Sequence, residues 1–264
     1  MMKIRRPGSR RMIELTVLHN ARVSTSFRRV TLGGPGLADL EDSGFDQAVR
    51  LFFPRPGQEA LFMPTVSNDA WMAQFLMRPK ARRPQVRNYT IRAFRQSSRE
   101  IDIEFALHGS DAPASAWAAS AAPGSPAGIF DEGIAYLPTA NATWQLLVAD
   151  ESAVPAALAI MEQLPPSTRG LAYLEVPSST DIRDATHPDG VTVHWLPRTS
   201  GRPGALALET VKAADLPPGP FYTWVAGEAA LPTGLRRHLV NDRGVPRSDI
   251  NFIGYWRQGR SAPG

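Results

Sequence analysis

The chain has 264 residues, of which 43% are hydrophobic and 20% charged, so a folded protein of one large or two ordinary domains is expected. It contains no cysteine, which excludes disulfides, a thiol nucleophile and metal or iron–sulfur sites with Cys ligands. The net charge is only +4 and the arginines are scattered, which favours a small anionic ligand over nucleic acid.

The sequence also argues against a membrane-inserted or metal-binding protein. No apolar run approaches the roughly 20 residues that span a bilayer, and the basic N-terminus lacks the apolar core of a secretory signal. The five histidines form no HxH or HxxxH pair, so no metal site is predicted. We therefore expect a cytoplasmic protein, with a monomer as the default oligomeric state.

The first half of the chain has the pattern of short β-strands. Apolar alternation predicts strands over 12–19, 22–32, 47–53, 86–94 and 99–107, with short helices within 67–80 and over 111–120. Short strands at this spacing indicate a sandwich or a small barrel. Residues 121–133 are rich in Pro, Gly and Ala and are predicted to be the linker region after this domain.

The second half alternates strands with helices. Continuously apolar runs predict strands over 144–149, 171–176, 191–195, 221–226 and 250–255, and helical spacing predicts helices over 154–164, 204–214 and 228–240. This alternation predicts an α/β domain with a parallel sheet and right-handed crossovers.

One strand of the first half is unusually polar. Residues 87–92, with the sequence RNYTIR, place an arginine on each face of the strand, because successive side chains point to opposite faces. An arginine fork can hold a phosphate, and an aromatic ring can stack on a planar heterocycle. The alternative is an edge strand with solvated arginines.

Polar segments follow three of the predicted parallel strands, at 150–152, 227–229 and 255–259. Ligands bind beyond the carboxyl ends of such strands. Each segment alone is compatible with a helix cap or a polar loop, but together they indicate a mononucleotide site. The GxGxxG fingerprint is absent. In the first half, His108 and Gly109 precede a helix start that is suited to a pyrophosphate, or His108 simply caps a turn.

Five motifs carry a resemblance to a known family. The segments are RNYTIR (87–92), HGSDAPASAWA (108–118), LVADESAVPA (147–156), WVAGE (224–228) and GYWRQG (254–259). In this order they resemble the RxYTxR, HGxxGPAxxWA, LxGDETALPA, WxAGE and GYWRxG motifs of the siderophore-interacting protein family, within the ferredoxin–NADP reductase superfamily.

The resemblance implies a fold and an activity. The expected fold is an N-terminal antiparallel six-stranded β-barrel flavin domain (1–138) followed by a parallel-sheet α/β nucleotide-binding domain (139–264). The expected activity is FAD-dependent reduction of a ferric siderophore, a small anionic chelate, by NADPH or NADH, with ferredoxin as an alternative donor. The flavin transfers electrons, so no catalytic acid or base is expected.

The resemblance also assigns residues. The expected FAD-binding residues are Arg87, Tyr89, Thr90, Arg92, His108, Ala114, Ser115, Asp150, Glu151 and Ser152. The expected NAD(P)H-binding residues are Gly227, Glu228, Tyr255 and Trp256. Charge, rather than the resemblance, indicates the siderophore residues: positive side chains would attract an anionic ferric siderophore, and the expected ones are Arg50, Arg257 and Arg260, with Arg247 as a further candidate. A 2′-phosphate would need a nearby arginine, for which Arg183 and Arg198 are candidates.

The chain departs from the family pattern at three small residues. Ala112 and Ala149 replace glycines of the motifs, and Ala116 stands where the family often has an arginine. A Cβ at position 112 would disfavour a positive φ. Weaker FAD binding is therefore one expectation. Two alternatives remain open: a flavin reductase of a quinone or ferredoxin-type partner, and a non-catalytic siderophore-binding protein.

Overall fold

The computed structural model describes residues 3–107 and 112–259. The chain divides into two compact units. The barrel unit comprises residues 6–43 and 47–134, and the α/β unit takes in residues 44–46 and the chain from residue 135 onward. The boundary expected at residue 138 stays a prediction.

The barrel unit is built from short antiparallel strands. They are β1 (Met12–Arg22), β2 (Phe27–Gly33), β3 (Ala48–Phe53), β4 (Gln85–Thr90), β5 (Ala93–Arg95), β6 (Glu100–Ala106) and β7 (Pro126–Gly133), in the spatial order β4-β3-β7-β1-β2-β6-β5. Two helices, α1 (Trp71–Met77) and α2 (Pro113–Ser120), and 3-10 turns at Pro35–Asp39 and Lys80–Arg82 complete the unit.

The barrel closes where the polar RNYTIR segment changes partners. Strands β4 and β5 stand at opposite ends of the spatial order, yet only two residues separate them. The Ile91 N–H donates to the Gln47 carbonyl, beside β3, and the Arg92 N–H donates to the Asp102 carbonyl on β6, both at 2.8 Å. The single strand predicted over 86–94 is therefore two short strands, β4 and β5. Together they occupy the position of one strand, the sixth, in the closed barrel.

Strand β7 corrects the prediction of a linker over 121–133. Residues 126–133 pair with β1 on one side and β3 on the other, and Ile129 is opposite both Ile13 and Leu51. Ala127, Ile129 and Phe130 are buried. The linker prediction was wrong because Gly, Ala and Pro dominate the composition there. Pro126 is tolerated as the first residue of the strand.

The α/β unit has a wholly parallel sheet. Its strands are β8 (Trp144–Ala149), β9 (Gly170–Val176), β10 (Val191–Pro197), β11 (Phe221–Glu228) and β12 (Ile250–Trp256), in the order β10-β9-β8-β11-β12. Its helices are α3 (Val154–Glu162), α4 (Ala205–Ala213) and α5 (Ala230–Asn241), with 3-10 turns at Ser179–Asp181 and Arg247–Asp249. The predicted fold class, a β-barrel followed by a parallel α/β domain, is confirmed.

Burial explains why these segments are the most apolar in the chain. The central strand β8 is covered on both faces, and Leu146, Leu147 and Val148 are buried, as expected for a parallel strand between helices. Helix α3 is buried from Val154 to Met161, and Pro155 fits because it lies in the first turn. Within the described residues, no helix is both long and apolar enough to cross a bilayer.

A glycine tests the packing of β7. A Cβ on Gly128 would lie 1.9 Å from Met63 Sδ and 3.1 Å from the Ile13 carbonyl oxygen. We predict that Gly128→Ala lowers the free energy of unfolding by about 1–3 kcal/mol because the core would be overpacked. Urea denaturation followed by tryptophan fluorescence measures this change. Gly8→Ala, where nothing lies within 4 Å of the added Cβ, is the matched control. Equal stability of the two variants would contradict the packing assigned to β7.

Candidate functional site

Arg87 on β4 is a partly buried cation that pairs with no carboxylate of the described residues. Its Nη1 donates to the Val86 carbonyl at 2.7 Å, and it forms no ion pair with any described residue. Burial lowers the pKa of Arg87; Tyr89 opposes this shift, and the nearby cation of Arg55 adds to it. An arginine in this state favours an anionic partner that it does not find among the described side chains.

Tyr89 and Thr90 follow on the same strand. The Tyr89 ring lies 4.4 Å from the Phe105 ring, between centroids, at an interplanar angle of 48°. Burial raises the pKa of Tyr89, so its hydroxyl stays protonated at neutral pH. Thr90 is buried as the last residue of β4, and its hydroxyl forms no hydrogen bond with the described residues. The Tyr89 ring therefore shares a strand face with the Arg87 cation, and the Thr90 hydroxyl lies on the next residue.

Arg92 has a different environment. Its Nε lies 3.7 Å from Glu104 Oε1, and Glu104 also binds Arg29 at 2.6 Å. Glu104 is buried inside the barrel unit. Arg92 therefore shares one buried carboxylate with Arg29, which is compatible with the expected role of supporting the motif.

Helix α2 brings Ala114 and Ser115 into the same unit. Both residues are buried, and the Ser115 hydroxyl donates to the Ala106 carbonyl at 3.5 Å. Trp117 fixes the helix on the barrel, with its ring centroid 5.1 Å from that of Phe53 and 5.7 Å from that of Phe105. His108 lies outside the described residues.

The start of α2 is compatible with a phosphate. Ala112 has an extended backbone, with φ −83° and ψ 115°, so the alanine at this position causes no backbone strain. No described side chain caps the helix, and the first backbone N–H groups of a helix have no partner within it. Together with Arg87 and Tyr89, these donors fit a ligand that carries both phosphate and a planar ring, as FAD does.

The α/β unit has its own ligand-binding geometry. From β8 the chain runs outward to β9 and β10, and then returns to β11 on the other side of β8. The point where the strand order reverses therefore lies between β8 and β11. Open parallel sheets bind ligands at the carboxyl ends of the strands at this point.

Asp150 occupies that position. Its Oδ2 accepts a hydrogen bond from the Glu228 N–H at the end of β11 at 2.5 Å. Its Oδ1 accepts from the Ser152 N–H at 2.9 Å and the Ser152 hydroxyl at 2.6 Å. Gly227 has φ 144°, and a Cβ there would lie 2.5 Å from Asp150 Cγ. The aspartate and the glycine therefore join the ends of β8 and β11.

Burial dominates the titration of Asp150. Desolvation, reinforced by the neighbouring charge of Glu151, raises the pKa of Asp150 to about 7, against the opposing hydrogen bonds from Ser152 and Glu228. The carboxyl group is wholly buried, and its two oxygens hold the backbone of Ser152 and Glu228; its expected contact with FAD stays a prediction.

Glu151 is part of a buried ionic cluster. Arg198 donates to both Glu151 oxygens at 2.9 Å and to Glu175 Oε1 at 2.7 Å. Glu175 also accepts from the N–H groups of Gly204 and Ala207. The two carboxylates raise the pKa of Arg198 and balance its charge, so its candidacy for a 2′-phosphate is not supported.

A pocket of about 370 Å³ opens at the start of α5. Its lining residues are Arg202, Glu228, Ala229, Ala230, Thr233, Arg257 and Gln258. Glu228 Oε2 accepts from the Ala230 N–H at 2.7 Å, and its Oε1 accepts from the Gln258 N–H at 3.2 Å. Arg202 Nε donates to Gln258 Oε1 at 2.8 Å. A helix N-terminus flanked by two arginines is suited to an anionic nucleotide.

Some of the expected residues line this pocket, and others have different surroundings. Glu228 and Arg257 line the pocket. The Trp256 carbonyl accepts from the Ala229 N–H at 2.9 Å, and Tyr255 falls at an irregularity in the β11–β12 pairing. Arg50 lies on β3 and pairs with Glu132 at 2.9 Å, so its charge is already compensated. Arg260 lies outside the described residues.

Arg202 and Thr233 were not among the expected site residues, and Gln258 was expected only as part of the polar segment 255–259. Arg202 follows β10 in the segment RTSGRPG (198–204). The rule of ligands at strand ends, which indicated the other three segments, would also have indicated this one. Thr233 sits one turn into α5, where the sequence shows only a helical pattern.

Comparison with known proteins assigns the family. Residues 16–135 match the family model of the siderophore-interacting FAD-binding domain, and residues 142–259 match that of the siderophore-interacting protein. The ferric vibriobactin reductase ViuB of Vibrio cholerae is 31% identical over 90% of this chain and 87% of its own length. The NADPH-dependent ferric-chelate reductase of Escherichia coli is 30% identical over 93% of each chain. The chain therefore belongs to the siderophore-interacting protein family.

A solved structure gives the same result for the fold. The siderophore utilization protein from T. fusca is 31% identical, with a TM-score of 0.85 over 99% of this chain and 98% of its own. The expected family and the FAD cofactor are confirmed by these matches.

The pKa of Asp150 gives a prediction for stability. A carboxyl group whose pKa is raised on folding stabilises the native state below its unfolded pKa of about 4, and this contribution is lost as pH rises through about 7. Asparagine does not titrate. We predict that the stability difference between wild type and Asp150→Asn shrinks by up to about 3 kcal/mol from about pH 5 to about pH 8.

Chemical denaturation of both proteins at the two pH values measures this difference. Asp215→Asn, which alters an exposed carboxylate in the same unit, is the control. A stability difference that is constant with pH would show that Asp150 titrates normally.

Proposed function

We propose that this chain is an FAD-dependent oxidoreductase that uses NAD(P)H to reduce ferric siderophores and so releases their iron as Fe²⁺. The observation that carries the proposal is the partly buried Arg87, which forms no ion pair with the described residues and lies in a unit that matches an FAD-binding family model. The names of the Vibrio cholerae and Escherichia coli relatives support the ferric-chelate substrate.

In this proposal the barrel unit holds the flavin. Arg87 and the N–H groups at the start of α2 bind the pyrophosphate, Tyr89 packs against the ring system, and Thr90 donates or accepts at its edge. FAD supplies the conversion of a two-electron hydride donor into single electrons for iron. The hydroxyl of Tyr89 stays neutral, so no negative charge from this residue opposes an anionic ligand.

The pocket at the start of α5 holds the pyridine nucleotide. Arg202 and the helix N-terminus provide positive potential for its phosphates. Glu228 accepts hydrogen bonds from the backbone of Ala230 and Gln258, and it therefore holds in place two of the segments that line the pocket. NADPH is the donor we favour because of the name of the Escherichia coli relative; NADH and ferredoxin are the alternatives to be tested.

An anionic ferric siderophore requires positive charge as well. Arg257 lines the pocket without an ion pair among the described residues, whereas Arg50 is neutralised by Glu132. We therefore favour Arg257 over Arg50 for attraction of the chelate. One NAD(P)H carries two electrons and can reduce two ferric ions, and oxygen ligands hold the product Fe²⁺ less tightly than Fe³⁺.

The direct test combines spectroscopy with turnover. The protein, purified and supplied with FAD, is titrated anaerobically with NADPH and NADH while the flavin absorption is followed. Ferric siderophores are then added with a Fe²⁺-trapping dye, and quinones serve as competing acceptors. Reduction of quinones but not of ferric siderophores would favour the flavin reductase of another partner. Absence of FAD binding would favour a non-catalytic siderophore-binding protein.

Replacement of Arg87 tests the flavin site. We predict that Arg87→Ala weakens FAD binding by about 10- to 100-fold, since a charge-assisted hydrogen bond contributes roughly 1.5–3 kcal/mol. Quenching of flavin fluorescence measures the Kd. Arg11→Ala removes an exposed barrel arginine that pairs with Asp39 and should leave the Kd unchanged. Equal affinities of the two variants would remove Arg87 from the flavin site.

Arg202 and Arg257 can be separated by kinetics. We predict that Arg202→Ala raises KM for NADPH about tenfold with little effect on the ferric chelate, since one cation near a phosphate contributes on the order of 1 kcal/mol. Arg257→Ala should raise KM for an anionic ferric chelate and reduce its dependence on salt. If Arg257→Ala changes only KM for NADPH, then Arg257 belongs to the nucleotide site and not to the siderophore site.

A further inference from the structure

The segment between β3 and β4 exposes apolar side chains beside a group of cations. Met77 is 85% exposed and Leu76 54% exposed, and Phe62 and Met72 are also among the exposed large apolar residues of the structure. We name Met72, Leu76 and Met77, which lie together on helix α1, the apolar patch. We propose that this patch and the basic residues after it form a docking surface for an anionic lipid bilayer.

The patch is the uncovered face of a well-anchored helix. On the opposite face of α1, Trp71 and Phe75 are buried four residues apart. The Trp71 ring lies 5.5 Å from that of Phe52 and 6.1 Å from that of Phe130. Met72 and Leu76 are also four residues apart and therefore share a face. Gln74, on a third side of the helix, binds the backbone of Thr65 and Val66, so the Met72–Leu76 face is the side of α1 that stays exposed.

The cations next to the patch are fixed by backbone rather than by carboxylates. Arg83 donates to the carbonyls of Leu76 and Arg78 at 2.6 and 2.7 Å. Arg78 and Arg55 likewise donate to the carbonyls of Met63 and Arg83. These bonds hold the charges beside the end of α1 without neutralising them.

The local charge is therefore strongly positive. Arg55, Arg78, Lys80, Arg82 and Arg83 form no ion pair with any described residue. The segment 54–84 contains two acidic residues, Glu59 and Asp69. Asp69 is bound by Arg6 at 3.0 Å and by Arg10 at 2.8 Å. Exposed apolar groups next to unpaired cations are the combination that binds the surface of an anionic bilayer.

Charge also decides between a bilayer and a second copy of the chain. A symmetric dimer through this patch would bring the same surface of both copies together, and the two basic groups would repel each other. An anionic lipid surface complements them instead. The surface is peripheral, and it requires no helix that crosses the membrane.

Vesicle flotation tests the proposal on the full chain with FAD. We expect the protein to float with phosphatidylcholine vesicles that contain phosphatidylglycerol, and at least about tenfold less with phosphatidylcholine alone. Binding should weaken at high salt. Both Leu76→Ser/Met77→Ser and Lys80→Gln/Arg82→Gln should lose about tenfold in binding to the anionic vesicles.

Matched variants in the α/β unit are the controls. Ile182→Ser/Leu206→Ser removes two exposed apolar residues, and Arg169→Gln/Arg237→Gln removes two exposed cations; both should bind as the wild type does. FAD absorption and the thermal transition verify folding, and Met77→Ser alone replaces the double variant if the latter is unstable.

Three outcomes overturn the proposal. The first is that the wild type does not bind anionic vesicles. The second is that either patch variant binds as well as the wild type. The third is a dimer in analytical ultracentrifugation that Leu76→Ser/Met77→Ser dissociates, with no binding to vesicles, which would assign the patch to a second copy.

Discussion

The buried carboxylate of Asp150 is the interaction on which the α/β unit depends. It accepts hydrogen bonds from Ser152 at the end of β8 and from the Glu228 N–H at the end of β11. These are the two strands between which the strand order reverses. The carboxylate approaches so closely that residue 227 has to be glycine, because a Cβ would lie 2.5 Å from Asp150 Cγ. The motif residues at 150 and 227 are therefore one structural unit.

The position of Glu228 follows from this joint. Because its N–H is held by Asp150, its side chain turns to cap the Ala230 N–H and to hold the Gln258 N–H. Those contacts set the start of α5 and the segment after β12, which form two walls of the pocket. Glu228 thus binds the backbone of both walls and also pairs with Arg202 at 3.7 Å, while Arg257 lines the pocket without an ion pair among the described residues.

The sequence predicted the parallel sheet better than it predicted the barrel. Strands such as β8 are continuously apolar because helices cover both faces, and that signal is local. Strand β7 lacks such a signal: it contains two glycines and one proline, and it becomes a strand because β1 and β3 both pair with it. The break between β4 and β5 is likewise a tertiary effect, since it marks a change of partner that no local pattern encodes.

The candidate site also combines features that the local sequence reveals with features that depend on the tertiary fold. The motif positions of Arg87 and Asp150 could be found in the sequence, but their chemical states could not. Both Arg87 and Arg92 are motif arginines, five residues apart; Glu104 lies near the second, and no described carboxylate pairs with the first. That difference comes from a strand, β6, which is distant from Arg87 in the sequence. Arg202 follows β10, and its partners lie at the ends of other strands: Gln258 follows β12, and Glu228 is the last residue of β11.

The arginines fall into two classes, those that form an ion pair and those that do not. Their positions in the sequence do not reveal to which class each belongs. Arg10, Arg29, Arg50, Arg95 and Arg198 bind carboxylates of their own unit, and they stabilise the fold. Arg87, Arg257 and the basic residues from 78 to 83 form no ion pair with the described residues. A partly buried cation without a partner is costly to retain for stability alone. The net charge of +4 is therefore less informative than its distribution, since the uncompensated cations lie where a pyrophosphate, a nucleotide or chelate, and an anionic surface are proposed to bind.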